Sequence, residues 1–303
     1  MNSIVCYLWS SGGQEPAPLP APPPPPKTFA LPTNPTRRDV ARHRIAIDRQ
    51  RIAMQRRLRV AQVRQIRDRN RPSARGRPVF KPEHVNVLQR MCARHLTTPH
   101  RFICITDKSD GLDPAVEFLQ TPPTAAALGG LASPEGVRFP SCYRRLWTFS
   151  KEAKMLGDCV IVTDIDVVVT RDFSNLFEFE PEANFMGWLP ETCWGKQHRF
   201  GGGIYRLVPG TRTEVWTRFS GGNSIMEARL AGFRGSDQAW ISYVLSRKER
   251  YWSRGSGIHS VRELGHTLAL PKGARIVQFN GNRKPWDYAR VSGYAPWISA
   301  NWR

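Results

Sequence analysis

Two carboxylates two residues apart, in Thr163-Asp164-Ile165-Asp166, are the strongest chemical feature of this chain. They lie between the apolar runs 160–162 and 167–169. If the first run continues as a strand, its period of two sends both side chains to one side. Their Cα atoms then lie about 6–7 Å apart, close enough for the carboxylates to share a hard divalent cation. Ionised carboxylates are seldom placed between valine-rich runs unless a metal or another cation offsets their desolvation. Two strand-end aspartates that cap a turn are the plainer alternative.

Three further clusters could serve the same chemistry. In Phe279-Asn280-Gly281-Asn282-Arg283-Lys284-Pro285-Trp286 a strand runs into a glycine loop carrying two cations and an indole. Gly281 would let backbone approach a diphosphate while Lys284 neutralises its charge; an ordinary basic turn is the alternative. In Gly235-Ser236-Asp237-Gln238 the serine can cap a following helix with Asp237 in its first turn, and an acid and an amide there could equally grip sugar hydroxyls. Phe200-Gly201-Gly202-Gly203 enters a strand at a place where backbone can approach a ligand, with a plain flexible loop as the other reading.

These clusters need a scaffold, and the sequence supplies an α/β one. Residues 4–9 form a short apolar run rich in β-formers, the size of a buried strand. Residues 83–95 carry Val85, Leu88, Met91 and Cys92 at helical spacing, and 102–106 read as a strand ending at Asp107. Residues 109–140 are rich in Gly, Pro and Ala and predict a loop, whereas 143–156 predict a helix stopped by Gly157. Later elements are strands near 204–208 and 275–279 and a helix over about 236–246. Strands alternating with helices imply a largely parallel sheet covered by helices on both faces. Open sheets of this kind bind ligands at the carboxyl ends of their strands, where Asp164 and Asp166 would lie.

Between residues 10 and 78 the composition changes. Residues 12–35 are dominated by proline, including five in a row at 22–26, and predict an extended linker. Residues 36–77 hold 15 Arg against three Asp, so this stretch supplies +12 of the net charge of +20. Its middle predicts a helix with a weak apolar face, a solvated arm or a dock for an acidic partner, membrane or nucleic acid. The organisation is thus a first strand at 1–10, an insert at 11–77, and the remaining domain at 78–303. The six cysteines contain no C-x-x-C pair and read as small buried hydrophobes in a reducing compartment. With no run of about 18 apolar residues, the expectation is a cytoplasmic protein. The C-terminal aromatics Trp286, Tyr288, Tyr294, Trp297 and Trp302 predict either core packing or contact with a membrane interface.

In order and spacing, the four clusters resemble the retaining GT-A glycosyltransferases of the glycogenin and bacterial lipopolysaccharide galactosyltransferase family, over roughly residues 79–290. That family carries Tyr-x-Arg-Leu before its D-x-D strand, matched by Tyr143-Arg144-Arg145-Leu146 with Arg145 in the arginine position. The resemblance implies a GT-A fold and a metal site, for Mn²⁺ or Mg²⁺, at Asp164 and Asp166. It implies a nucleoside-diphosphate sugar, in particular a UDP-sugar, as donor, with Arg145, Gly281 and Lys284 at the nucleotide. Asp237 and Gln238 would contact donor or acceptor sugar near the reacting centre. The closing His-Tyr-x-Gly-x-x-Lys-Pro-Trp of the family aligns with 278–286, so its third metal ligand, a histidine, is replaced by Gln278, whose amide oxygen is a weaker ligand. The family's Phe-Asn-x-Gly reads Phe200-Gly201-Gly202-Gly203 here.

The function so implied is metal-dependent transfer of a hexose to an acceptor hydroxyl on a carbohydrate, glycolipid or protein, with retention, at the cytoplasmic side of a membrane if the aromatics rest there. The competing expectation is a non-catalytic, transferase-like scaffold whose Arg-rich arm binds nucleic acid or an acidic partner.

Overall fold

The computed structural model describes residues 1–9, 80–132, 139–190, 200–233, 235–245, 249–265, 267–281, 283–289 and 295–303. The expected proline linker, the Arg-rich helix, Cys193 and Tyr294 lie outside the described residues.

The fold is α/β. A seven-stranded sheet has the order β3-β2-β1-β4-β7-β6-β8. Its members are β1 (Asn2–Leu8), β2 (His100–Thr106), β3 (Glu117–Gln120), β4 (Cys159–Thr163), β6 (Phe185–Trp188), β7 (Gly201–Leu207) and β8 (Arg250–Trp252). Strands β3, β2, β1 and β4 run parallel, while β7 runs antiparallel to both β4 and β6. The first strand of the chain is the centre of the parallel block, with Val5 opposite Ile103 on one side and Val162 on the other. A smaller sheet, β5-β10-β9, is built from β5 (Val167–Val169), β9 (Ile258–Ser260) and β10 (Ile276–Gln278).

Alternation along β1 shows why both faces of the large sheet are covered. Ile4, Cys6 and Leu8 join one core with Val85, Leu88, Met91 and Cys92 of the helix Pro82–His95. Val5 and Tyr7 join a second core with Leu146, Trp147, Trp240 and Ile241. A nearly continuous apolar strand is what a sheet buried on both faces requires. Trp286 stacks on His84 with centroids 3.8 Å apart, Trp297 donates its indole N–H to the Leu268 carbonyl at 2.8 Å, and Trp302 is buried with the first core. Among the described residues no helix is long and apolar enough to cross a membrane.

Two expectations change. The segment before β4 is not one α-helix but two 3₁₀ pieces, Ser141–Phe149 and Glu152–Leu156, broken where Ser150 turns extended. The Thr148 hydroxyl bonds the Arg145 carbonyl three residues back, a local bond that competes with α-helical pairing. Gly157 does end the segment: its φ of 131° is open to glycine, and a Cβ there would lie 2.5 Å from the Met1 carbonyl oxygen. The expected loop at 109–140 also contains structure, since Glu117–Gln120 adds the edge strand β3 and Pro123–Ala127 forms a short helix.

One side chain ties β7 to the turn before β6. Arg206, 1% exposed, donates to the carbonyls of Phe177 (2.7 Å), Phe179 (2.8 Å), Glu180 (2.7 Å) and Ala183 (2.9 Å). Arg206→Met would strand those oxygens and is expected to cost about 3 kcal/mol. A urea titration should show a lower midpoint at unchanged slope; an unchanged midpoint would mean the turn does not depend on Arg206.

Candidate active site

Strand β4 stops at Thr163, so Asp164, Ile165 and Asp166 do not continue it. They form a bend that carries the chain from the large sheet into β5 of the small one. The bend is held at both ends by main chain. The Asp164 N–H donates to the Gly203 carbonyl on β7 at 2.8 Å, and the Asp166 carbonyl accepts the Phe279 N–H beyond β10 at 2.9 Å. The carboxylates therefore lie at the carboxyl end of β4, as expected, but their directions are set by two ladders and not by strand alternation.

Each carboxylate meets a cation from elsewhere in the chain. Arg145 pairs with Asp164 through Nη1, and its Nη2 donates to Asp237 Oδ1 at 3.1 Å. Its Nε lies 2.8 Å from Asp237 Oδ2, at ion-pair distance though not aligned as a hydrogen bond. Lys284 pairs with Asp166. Three carboxylates thus share two cations, leaving one negative charge in excess. Asp166, Asp237, Arg145 and Lys284 are all buried, whereas the Asp164 side chain keeps 38% of its surface exposed. Burial pushes the Asp164 carboxyl up to about 6, with Arg145 pulling it back and Asp166 adding to the rise; its open edge to solvent limits that shift.

The glycine run proves to be room for two amides. The Gly202 N–H donates to Gln238 Oε1 at 3.0 Å, and a Cβ at Gly202 would sit 2.5 Å from that oxygen. A Cβ at Gly203 would sit 2.0 Å from Oε1 of Gln278. Gly201–Leu207 is strand, not loop, and its second and third glycines let both glutamines lie against it. Gln278 is buried, and its Nε2 has no partner among the described residues. Asn280 is committed, its Oδ1 accepting from Ser260 at 2.6 Å.

The remaining expected residues divide by access. Asp237 opens the helix Asp237–Leu245 and is fully buried against Arg145; the Ser236 hydroxyl donates to it at 2.9 Å. Gln238 is half-buried. Gly281 is exposed, and a Cβ there would meet only Arg262 Nη2, at 3.9 Å, so the surface above it is open. What the sequence did not disclose is the pairing itself. Arg145 with Asp237 and Lys284 with Asp166 span 92 and 118 residues, and no local spacing announces them.

Asp164, Asp166 and the Gln278 amide oxygen form an all-oxygen donor set, which suits a hard divalent cation. The excess negative charge favours a cation there; the unpartnered atom of Gln278 is Nε2, a donor that stays outside that set. Among the described residues there is no group of three or more His, Cys, Asp or Glu placed to hold a metal. These oxygens would suit a divalent ion only with Lys284 moved off Asp166.

No family model and no curated protein matches the chain. Solved structures of similar path include the galactosyltransferase LgtC in complex with donor and acceptor sugar analogs, at 14% identity and TM-score 0.48, covering 73% of this chain and 91% of that one. The apo-form glycosyltransferase GlyE of Streptococcus pneumoniae TIGR4 aligns at 12% identity and TM-score 0.49 over 72% of this chain. The WbbM bifunctional glycosyltransferase aligns at 14% identity and TM-score 0.45 over 74%. The chain spans 57% of the GlyE length and 48% of the WbbM length.

The electrostatics of the bend can be read directly. In metal-free protein, carboxyl ¹³C NMR should place the Asp164 titration at about 6. Arg145→Met should raise that midpoint, because the guanidinium favours the charged form; a fall, or no change, would refute the pairing.

Proposed function

We propose that this chain is a GT-A glycosyltransferase that moves a hexose from a nucleoside-diphosphate sugar, a UDP-sugar by motif resemblance, to an acceptor hydroxyl. The observation that carries the reading is the bend Asp164–Asp166 at the carboxyl end of β4, where carboxylates, Arg145 and Lys284 converge. Motif order supports the same reading, from Arg145 through Asp164 and Asp166 to Asp237, Gln238 and the Lys284-Pro285-Trp286 loop.

In this reading Asp164 and Asp166, with the Gln278 amide oxygen, hold Mn²⁺ or Mg²⁺. When bound, such an ion neutralises charge that builds on the leaving diphosphate. Lys284 and the open backbone at Gly281 receive the diphosphate, adding positive charge where the glycosidic C1–O bond breaks and its electron pair passes to the diphosphate. The acceptor oxygen forms the new bond to C1, and its proton passes to the departing diphosphate oxygen. Gln238, on the helix Asp237–Leu245 and half-buried against β7, faces the sugar hydroxyls. Asp237 acts through Arg145, holding the guanidinium that orients Asp164. Retention of configuration rests on the motif resemblance, and the acceptor is a carbohydrate, glycolipid or protein hydroxyl.

Thermal unfolding against a panel of nucleotide sugars, with and without Mn²⁺, tests donor and metal together. A donor at 100 times its Kd should stabilise the fold by about 2.7 kcal/mol, more with Mn²⁺ than without. Asp166→Ala should lower kcat for UDP-sugar hydrolysis by roughly 100-fold or more. Unchanged turnover would remove Asp166 from the mechanism. No stabilisation by any nucleotide sugar, together with salt-sensitive nucleic-acid binding lost on deleting 36–77, would favour the scaffold reading.

A further inference from the structure

Lys284 is not a loose cation waiting for a phosphate. Its ammonium is buried with three partners: the Asp166 carboxylate, the Phe279 carbonyl at 3.1 Å, and the Phe80 ring, 5.6 Å from Nζ to centroid. Of the three donors of an ammonium, two meet these oxygens, and its charge lies within cation–π reach of the ring. Phe279 closes the arrangement, since its N–H holds the Asp166 carbonyl while its own carbonyl holds Lys284. The loop is fixed as well, with the Lys284 N–H donating to Asp287 Oδ2 at 2.8 Å at the start of the helix Pro285–Ala289.

We infer that Lys284 is a tethered competitor for the cation position at Asp166, so that divalent ion and diphosphate enter this site together. The inference rests on the metal half of the proposed function and adds an order of events to it. With the ammonium on Asp166 Oδ2, a divalent ion on the same carboxylate would put two cations beside one anion in a poorly solvated space, and each would weaken the other. Metal binding to the nucleotide-free protein must therefore release Lys284, and its apparent Kd rises by the inverse of the fraction of time Asp166 is free. A lysine seated nine-tenths of the time weakens the ion about tenfold. A diphosphate changes the balance, since its oxygens receive the released ammonium at a distance the flexible side chain can span. Each ligand then strengthens the other, and the coupling is reciprocal.

The test is Mn²⁺ binding, read from the electron paramagnetic resonance signal of free aqua-Mn²⁺ during titration, with and without UDP. Without UDP, Lys284→Gln should bind Mn²⁺ at least tenfold more tightly than the natural protein, and UDP should strengthen Mn²⁺ binding less in the variant. Arg283→Gln is the control for general charge. It removes a cation of the same loop whose guanidinium lies 5.6 Å over the Tyr288 ring. Phe80→Leu keeps the lysine but removes the ring beneath it, and should tighten Mn²⁺ binding roughly threefold; it carries the test if Lys284→Gln does not fold.

Equal Mn²⁺ affinity in natural protein and the folded lysine variant, or the same gain in Arg283→Gln, overturns the competition and leaves sugar transfer untouched. Absence of Mn²⁺ binding in both proteins, with a UDP-sugar still raising the melting temperature, overturns it along with the metal. A tighter Mn²⁺ site in Lys284→Gln without any nucleotide-sugar binding supports the competition and defeats the proposed function.

Discussion

The site depends on a three-residue bend clamped between two sheets. Asp164 is held by its N–H to Gly203 on β7, and Asp166 by its carbonyl to Phe279 after β10. Those bonds extend the β4–β7 and β5–β10 ladders by one rung each, so the carboxylates inherit the rigidity of both sheets. A site held this way keeps its charges in place without relying on loop packing, which preorganised electrostatics requires. The same clamp explains the position of β5: Val167–Val169 leaves the large sheet and turns back against Ile276–Gln278, bringing the loop after β10 beside Asp166.

Charge balance then selects the partners. Arg145 is buried between Asp164 and Asp237, so neither carboxylate faces the interior uncompensated. Breaking one member of such a group is more costly than the group is worth, because it strands the others. The fully buried Asp237 therefore matters to Asp164 although its own carboxylate has no open face. The excess charge falls on Asp164, the one carboxylate of the three with an open edge, where its field reaches a ligand. The glycines at 202 and 203 belong to the same design. By lacking side chains they let Gln238 and Gln278 approach β7, and a Cβ at 202 or 203 would clash with the respective amide.

The legible parts of the sequence were those decided locally. β1, β2 and β4 are apolar runs bounded by turn residues, and the large sheet buries both their faces, so composition and outcome agree. The helix Pro82–His95 follows from apolar spacing and the proline at its start. β3 escaped because Glu-Phe-Leu-Gln at a partly exposed edge has no apolar run to show and sits among turn formers. The segment 141–156 escaped in detail because a side-chain bond from Thr148 to the chain favours the tighter helix, a competition that propensity does not contain. At the site, the D-x-D pair was legible in its place and misread in its cause, since alternation was invoked where two ladders do the orienting. The ion pairs that give the carboxylates their character join residues about a hundred positions apart, and only the completed fold brings them together.

A long stretch of chain separates β1 from the helix Pro82–His95, and the residues that follow it show how the site keeps its registration. Phe80 lies under the Lys284 ammonium and meets Trp286 edge-on at 5.6 Å. His84, in the first turn of the following helix, stacks on the same indole. The point where the chain re-enters the core is thus built against the loop that carries Lys284. Closing a longer loop costs only about 0.6 kcal/mol per doubling, whereas this aromatic contact and the helix beneath it are fixed by burial. β1 is paired with β2 over Asn2–Leu8 and with β4 over Asn2–Val5, so it needs no short connection to stay in register. The aromatic seat formed by Phe80, His84 and Trp286 thus fixes where the chain re-enters the core.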